Sequence, residues 1–128
     1  MEHRRILIDT SIIIEYIRKH EKSKTLFWQL LQRSDCLIST VTEFELYSGI
    51  KHDEDVARMD KLLSFVEILD FDSYQAQKAA EIFRALKRQN KLIEYRDIFI
   101  AASALSVNLP LATLNHKHFK RVKGLTLI

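Results

Sequence analysis

A chain of 128 residues, 47% hydrophobic and 29% charged, is long enough to bury one real core and has the balance of an ordinary globular domain. Its single cysteine, Cys36, can form no internal bridge, and its two glycines, Gly49 and Gly124, rule out the glycine-rich loops that cradle nucleotide phosphates. Twenty Lys and Arg against 17 Asp and Glu give a net charge of +3, compatible with a polyanionic partner but too small to identify one.

Glu2, Arg4, Arg5 and Asp9 surround a short apolar stretch without the small-residue cleavage site of an export signal. With the lone cysteine, this predicts a reducing, cytoplasmic setting. Arg5 to Ile8 predicts a strand, and Asp9-Thr10-Ser11 caps a helix whose apolar residues fall at Ile13, Ile14 and Ile17. Leu26, Phe27, Trp28, Leu30 and Leu31 mark a second helix, mostly core. Cys36-Leu37-Ile38 forms the next strand, with an inert buried thiol. A helix follows from Ser39-Thr40-Val41-Thr42 to Gly49, where a left-handed backbone is expected.

Val56, Met59, Leu62, Leu63 and Val66 predict another helix, and Glu67 to Phe71 a strand. From Asp72 to about Asn90, Ala76, Ala79, Ala80, Phe83 and Leu86 trace an apolar stripe opposite Lys78, Arg84, Lys87 and Arg88. Ile98 to Asn115 is the longest uncharged run, but Ser103, Ser106, Asn108 and Pro110 interrupt it. It reads as a buried helix to Val107, a turn, and a strand at Leu111-Ala112-Thr113, with Leu125 to Ile128 a final strand. Alternating strands and helices imply a mostly parallel sheet with helices on both faces, joined by right-handed crossovers in one domain, residues 1–128.

In such a sheet functional groups gather beyond the carboxyl ends of the strands. Asp9 ends the first strand, Glu43 and Glu45 follow the second, and Asp97 opens the apolar helix near Ile98. Each acid also has a purely structural explanation. Asp9 can cap its helix, Thr40-x-x-Glu43 and Thr42-x-x-Glu45 are capping-box patterns, and Asp97 complements a helix dipole.

Four sequence words stand in order along the chain. They are Ile8-Asp9-Thr10-Ser11; Ile38-Ser39-Thr40-Val41-Thr42-Glu43-Phe44-Glu45-Leu46 with Gly49; Asp97-Ile98-Phe99-Ile100-Ala101-Ala102 with Ile93 upstream; and Thr113-Leu114-Asn115 followed by Phe119, Val122, Gly124 and Leu125. Together they resemble the PIN-domain ribonucleases, particularly the VapC-type toxins of toxin–antitoxin pairs, over nearly the whole chain. The resemblance implies a three-layer α/β/α sandwich, PIN-like, with a mostly parallel central sheet. It also implies a Mg²⁺- or Mn²⁺-dependent endoribonuclease that hydrolyses RNA phosphodiester bonds. Alignment on Thr42 and Gly49 assigns the catalytic glutamate to Glu45 rather than Glu43. On this resemblance Asp9 and Asp97 bind the metal directly, Glu45 directly or through water, and Ser11, Thr113 and Asn115 orient waters. An antitoxin partner is implied in a groove between the early helices, and homodimers through an adjacent surface. Two positions depart from the pattern. Asn115 stands where the family often has Asp, and Asn90 where it commonly has Gly. A neutral amide binds a cation more weakly, whereas Asn tolerates a left-handed backbone.

Beside the resemblance stands a physical reason for a cation, because carboxylates drawn together repel and a divalent ion removes that conflict. Carboxylate oxygens with water suit Mg²⁺ or Mn²⁺; zinc would call for His or Cys. The run from His116 to Lys123 is the densest basic stretch. It is either a solvated loop or a grip on an RNA backbone through Lys117, Lys120 and Arg121. Arg96 has a weaker claim to a phosphate and could instead pair with Glu94. Glu43 and Glu94 stay open as additional site acids or surface charges. His116 and His118 lack a third ligand nearby, and His3, His20 and His52 are isolated, so none is assigned a role. Two other functions fit the same residues: an RNA-processing nuclease without an antitoxin, and a PIN-like module that holds RNA or protein without cleaving.

Overall fold

The computed structural model describes residues 4–128, so Glu2 and His3 lie outside the described residues. Strands β1 (Arg4–Ile8), β2 (Ser34–Ser39), β3 (Glu67–Leu69) and β4 (Leu111–Ala112) form one sheet in the order β3-β2-β1-β4. All the strand pairings are parallel, with Ile6 opposite Cys36 and Leu7 opposite both Leu37 and Leu111. Helices α1 (Thr10–Arg18), α2 (Leu26–Leu31), α3 (Thr40–Ser48) and α4 (Asp55–Leu63) precede β3. Helices α5 (Ser73–Arg88), α6 (Tyr95–Ser106) and the single turn α7 (His116–Phe119) follow it.

Alternation along the strands divides the interior into two cores. Ile6, Ile8, Cys36 and Ile38 face Ile12, Phe27, Leu30, Leu46 and Met59 of the first four helices. Leu7, Leu37 and Leu111 face Leu86, Ile98, Ala101 and Phe119 from α5, α6 and α7. Helices thus cover both faces, which is why the strands read as continuous apolar runs rather than alternating ones. Burial, and next the charge of Asp35, push the Cys36 thiol up to about 11, so it stays protonated and unreactive at neutral pH. No described helix is long and apolar enough to cross a membrane.

Several local expectations shift in the folded chain. Helix α1 buries Thr10, Ile12 and Ile13 and leaves Ile17 exposed. Helix α5 buries Gln75, Ala79, Ile82 and Leu86, while Ala76 and Ala80 face outward. A polar Gln75 occupies the inner stripe because its amide oxygen accepts the Ser103 hydroxyl at 2.7 Å, which satisfies both buried groups. Trp28 is 41% exposed, not core. Gly49 ends α3 at φ −82°, a right-handed conformation; among the described residues the left-handed positions are Asn90, Asn108 and Gly124. The final residues contribute one isolated bridge, Leu111 to Leu127, instead of a strand. The basic stretch from His116, read as either a solvated loop or a grip on an RNA backbone, begins with α7.

Candidate active site

The carboxyl edge of the sheet carries the acids. Asp9 follows β1 directly, its backbone N–H donating to the Ala112 carbonyl at 2.9 Å and so fixing it beside β4. Its Oδ1 accepts the Thr10 N–H at 2.8 Å, making it the helix cap that its place before the helix suggested. Its Oδ2 accepts the hydroxyls of Ser11 and Thr113, each at 2.8 Å. Asp9 is therefore a helix cap and a candidate site residue at once. Ser11 and Thr113, expected to orient waters, hold this carboxylate themselves. Oδ2 has both acceptor positions filled, leaving Oδ1 the oxygen with capacity to spare.

Glu45 arrives from β2 through α3. Ser39 caps that helix by accepting the Val41 N–H at 3.0 Å, so neither expected capping box forms. Thr40 instead accepts the Phe71 N–H at 3.1 Å, and the Thr42 hydroxyl lies 3.0 Å from that of Thr10. One turn later Glu45 Oε1 accepts the Thr10 hydroxyl at 2.8 Å, which ties α3 to the residue after Asp9. Its Oε2 receives the Arg96 guanidinium at 3.3 Å, and the same guanidinium donates to Glu94 at 3.0 Å. Arg96 therefore bridges two carboxylates at the mouth of the site. Glu43 lies in the first turn of α3, where it complements the helix dipole.

Asp97 sits in the first turn of α6 and is 6% exposed. Burial pushes its carboxyl above the usual value of 3.8, and the charge of Asp9 adds to that push, while His118 and Arg96 pull the other way. The Asp9 contribution means that the two acids share a field although they belong to different elements. His118 Nδ1 lies 3.3 Å from Asp97 Oδ2 and 3.0 Å from the side-chain amide of Asn115. Asn115, expected to orient water, thus reaches a histidine. The sequence reading gave His118 no role. Its signal was the three-residue spacing from Asn115, which has meaning only once α7 is known to be helical.

The structure brings Asp9, Thr10, Ser11, Glu45, Arg96, Asp97, Thr113, Asn115 and His118 into one connected cluster. Lys117 and Lys120 lie exposed on and just after α7. Arg121 turns back, donating to the carbonyls of Lys91 at 3.4 Å and Leu92 at 3.1 Å. Among the described residues, no three Asp, Glu, His or Cys side chains stand close enough to hold a metal ion jointly. Two carboxylates with waters are nevertheless what Mg²⁺ takes from proteins, since it keeps several waters and leaves positions for phosphate oxygens. Asp9 and Asp97 fit that pattern, with Glu45 engaged by Thr10 and Arg96.

The PIN domain family matches residues 6–125. Ribonuclease VapC1 of Methanocaldococcus jannaschii is 32% identical over 122 residues, covering 95% of this chain and 84% of that protein. Among solved structures, VapBC2 from Rickettsia felis bound to a DNA fragment from their promoter superposes with a TM-score of 0.84, at 27% identity and 97% coverage of each chain. A toxin-antitoxin complex from Klebsiella pneumoniae gives a TM-score of 0.70 at 29% identity, covering 96% of this chain and 95% of that one. The chain belongs to the PIN domain family.

Proposed function

We propose that this chain is a divalent-metal-dependent endoribonuclease, the toxin of a toxin–antitoxin pair, with residues 1–128 acting as one PIN domain. The reading is supported by the hydrogen-bonded network that links Asp9 to Glu45 through Thr10 and to Asp97 through Thr113, Asn115 and His118, in a chain whose relative bears the name ribonuclease. Asp9 and Asp97 would hold Mg²⁺ or Mn²⁺, hard ions suited to carboxylate oxygens, with Glu45 as a direct or water-mediated ligand. When bound, the ion supplies charge against the phosphate oxygens and acidifies the attacking water.

The chain's own residues do the positioning. Ser11, Thr113 and the Thr10 N–H fix the Asp9 carboxylate, and its Oδ1 keeps acceptor capacity that would serve an ion. Arg96, Lys117 and Lys120 meet the RNA backbone by phosphate contacts, which orient a strand without reading its sequence. Arg121, whose Nη1 donates to the Lys91 and Leu92 carbonyls, joins them.

An apolar groove of about 830 Å³ lies between α1, α3 and α4, lined by Ile14, Leu46, Ile50, Met59 and Leu62, and it reaches Glu45. It has the character of a seat for an amphipathic antitoxin segment. A homodimer forms through a neighbouring surface, and the protein works in the cytoplasm, where a lone buried thiol such as Cys36 is at home.

Cleavage of cellular RNA, with end sequencing of the products, tests this. The native chain with Mg²⁺ or Mn²⁺ is expected to cut, and the native chain in EDTA and Asp9→Asn to leave RNA intact. Undiminished cutting in EDTA or by Asp9→Asn contradicts the reading. RNA bound but never cut identifies a binding module instead.

A further inference from the structure

The carboxylates of Asp9 and Asp97 are held in very different ways. Asp9 has three donors on its carboxylate, whereas among the described residues the group within hydrogen-bond reach of the Asp97 side chain is the His118 ring. The Asp97 side chain is 9% exposed and that of His118 37%, so the contact is shielded at the acid and open at the far side of the ring. A carboxylate aimed at a cation needs its rotamer fixed, because partners outside the ligand shell orient the ligands themselves. His118 meets that need by geometry. It lies on α7 directly before Phe119, which is fully buried against the core shared with α6, so the ring rides on an anchored residue.

Asn115 completes the arrangement. One ring nitrogen, Nδ1, lies within reach of both Asp97 and the Asn115 amide. Beside a carboxylate the hydrogen belongs on Nδ1, and a half-turn of the amide presents its oxygen to that same hydrogen. Asn115 then steadies the ring while His118 holds Asp97 Oδ2. An amide suits this position physically, since a third carboxylate there would add repulsion to a pair already in conflict.

We propose that His118, steadied by Asn115, is a positioning residue that fixes the Asp97 carboxylate for the metal ion. The inference rests on the reading of Asp9 and Asp97 as the ion's ligands, and its test separates the two. Mn²⁺ binding to the full chain is measured by electron paramagnetic resonance without RNA, so the readout does not depend on cleavage. The variants are His118→Ala, His118→Gln and His118→Asn, with Asp97→Asn alongside and circular dichroism to check folding. Asn places its amide where Nδ1 stands; Gln places it where Nε2 stands. His118→Ala and His118→Gln are expected to weaken Mn²⁺ about 10-fold, the cost typical of losing such a partner, and His118→Asn to stay within about 2-fold of the native chain. Native affinity in folded His118→Ala or His118→Gln overturns the proposal, as does His118→Asn binding as poorly as His118→Ala. Native affinity in Asp97→Asn overturns the underlying ligand reading instead.

Discussion

Asp97→Asn is expected to lose cleavage by more than about a hundredfold, as befits a ligand to a cation worth several kcal/mol in the transition state. The same substitution is expected to make the metal-free protein more stable at neutral pH. Folding raises the Asp97 carboxyl above its ordinary 3.8, chiefly by burial. Between the ordinary and the raised value the folded chain holds more protons than the unfolded one, so stability falls as pH rises through that interval. Above it the penalty is complete, and Asn removes it by carrying no charge. Thermal unfolding in EDTA should therefore show Asp97→Asn melting above the native chain at pH 7, with the gap closing as pH falls toward 3.8. Adding Mn²⁺ should raise the native melting point and leave that of the variant nearly unchanged, because a ligand stabilises only the state that binds it. A variant less stable than the native chain in EDTA at pH 7 contradicts the electrostatic account. Loss of function with gain of stability marks a residue kept for chemistry rather than for the fold.

Phe119→Ala is expected to cost about 3–5 kcal/mol, the range for emptying a buried aromatic site, out of a total of about 5–15 kcal/mol for a typical domain. Phe119 is 0% exposed and packs in the same core as Leu7, Ile98 and Leu111. A four-residue helix cannot sustain itself, so α7 depends on this ring for its position. Cleavage should fall as well, since His118 and Asn115 ride on the same turn. Chemical denaturation measures the loss, with the exposed Lys117→Ala as a control expected within about 0.5 kcal/mol of the native chain. A loss under about 1 kcal/mol for Phe119→Ala would show that α7 is held some other way.

Much of the fold was legible because strong local signals agreed with the tertiary result. The apolar runs at Ile6 to Ile8 and Cys36 to Ile38 became central strands, and Asp9 became the helix cap. What misled were positions where a distant partner decided the outcome. Gln75 is buried because Ser103 bonds it across 28 residues, which no helical periodicity contains. The capping boxes around Glu43 and Glu45 failed because Thr40 and Thr42 were taken by Phe71 and Thr10 from other elements. Gly49 proved right-handed because a helix can end without reversing its backbone. The three candidate acids were picked out by their places after strands and at a helix start. His118 was missed because its link to Asp97 spans 21 residues and appears only once α6 and α7 pack together.

The central claim, that Asp9 and Asp97 share one divalent cation, is tested most directly by anomalous diffraction from crystals of the native chain grown with Mn²⁺. The account predicts a manganese peak between the two carboxylates, with waters filling the rest of its coordination. Saturating Mn²⁺ with no peak there, or a peak seated on other residues, contradicts it.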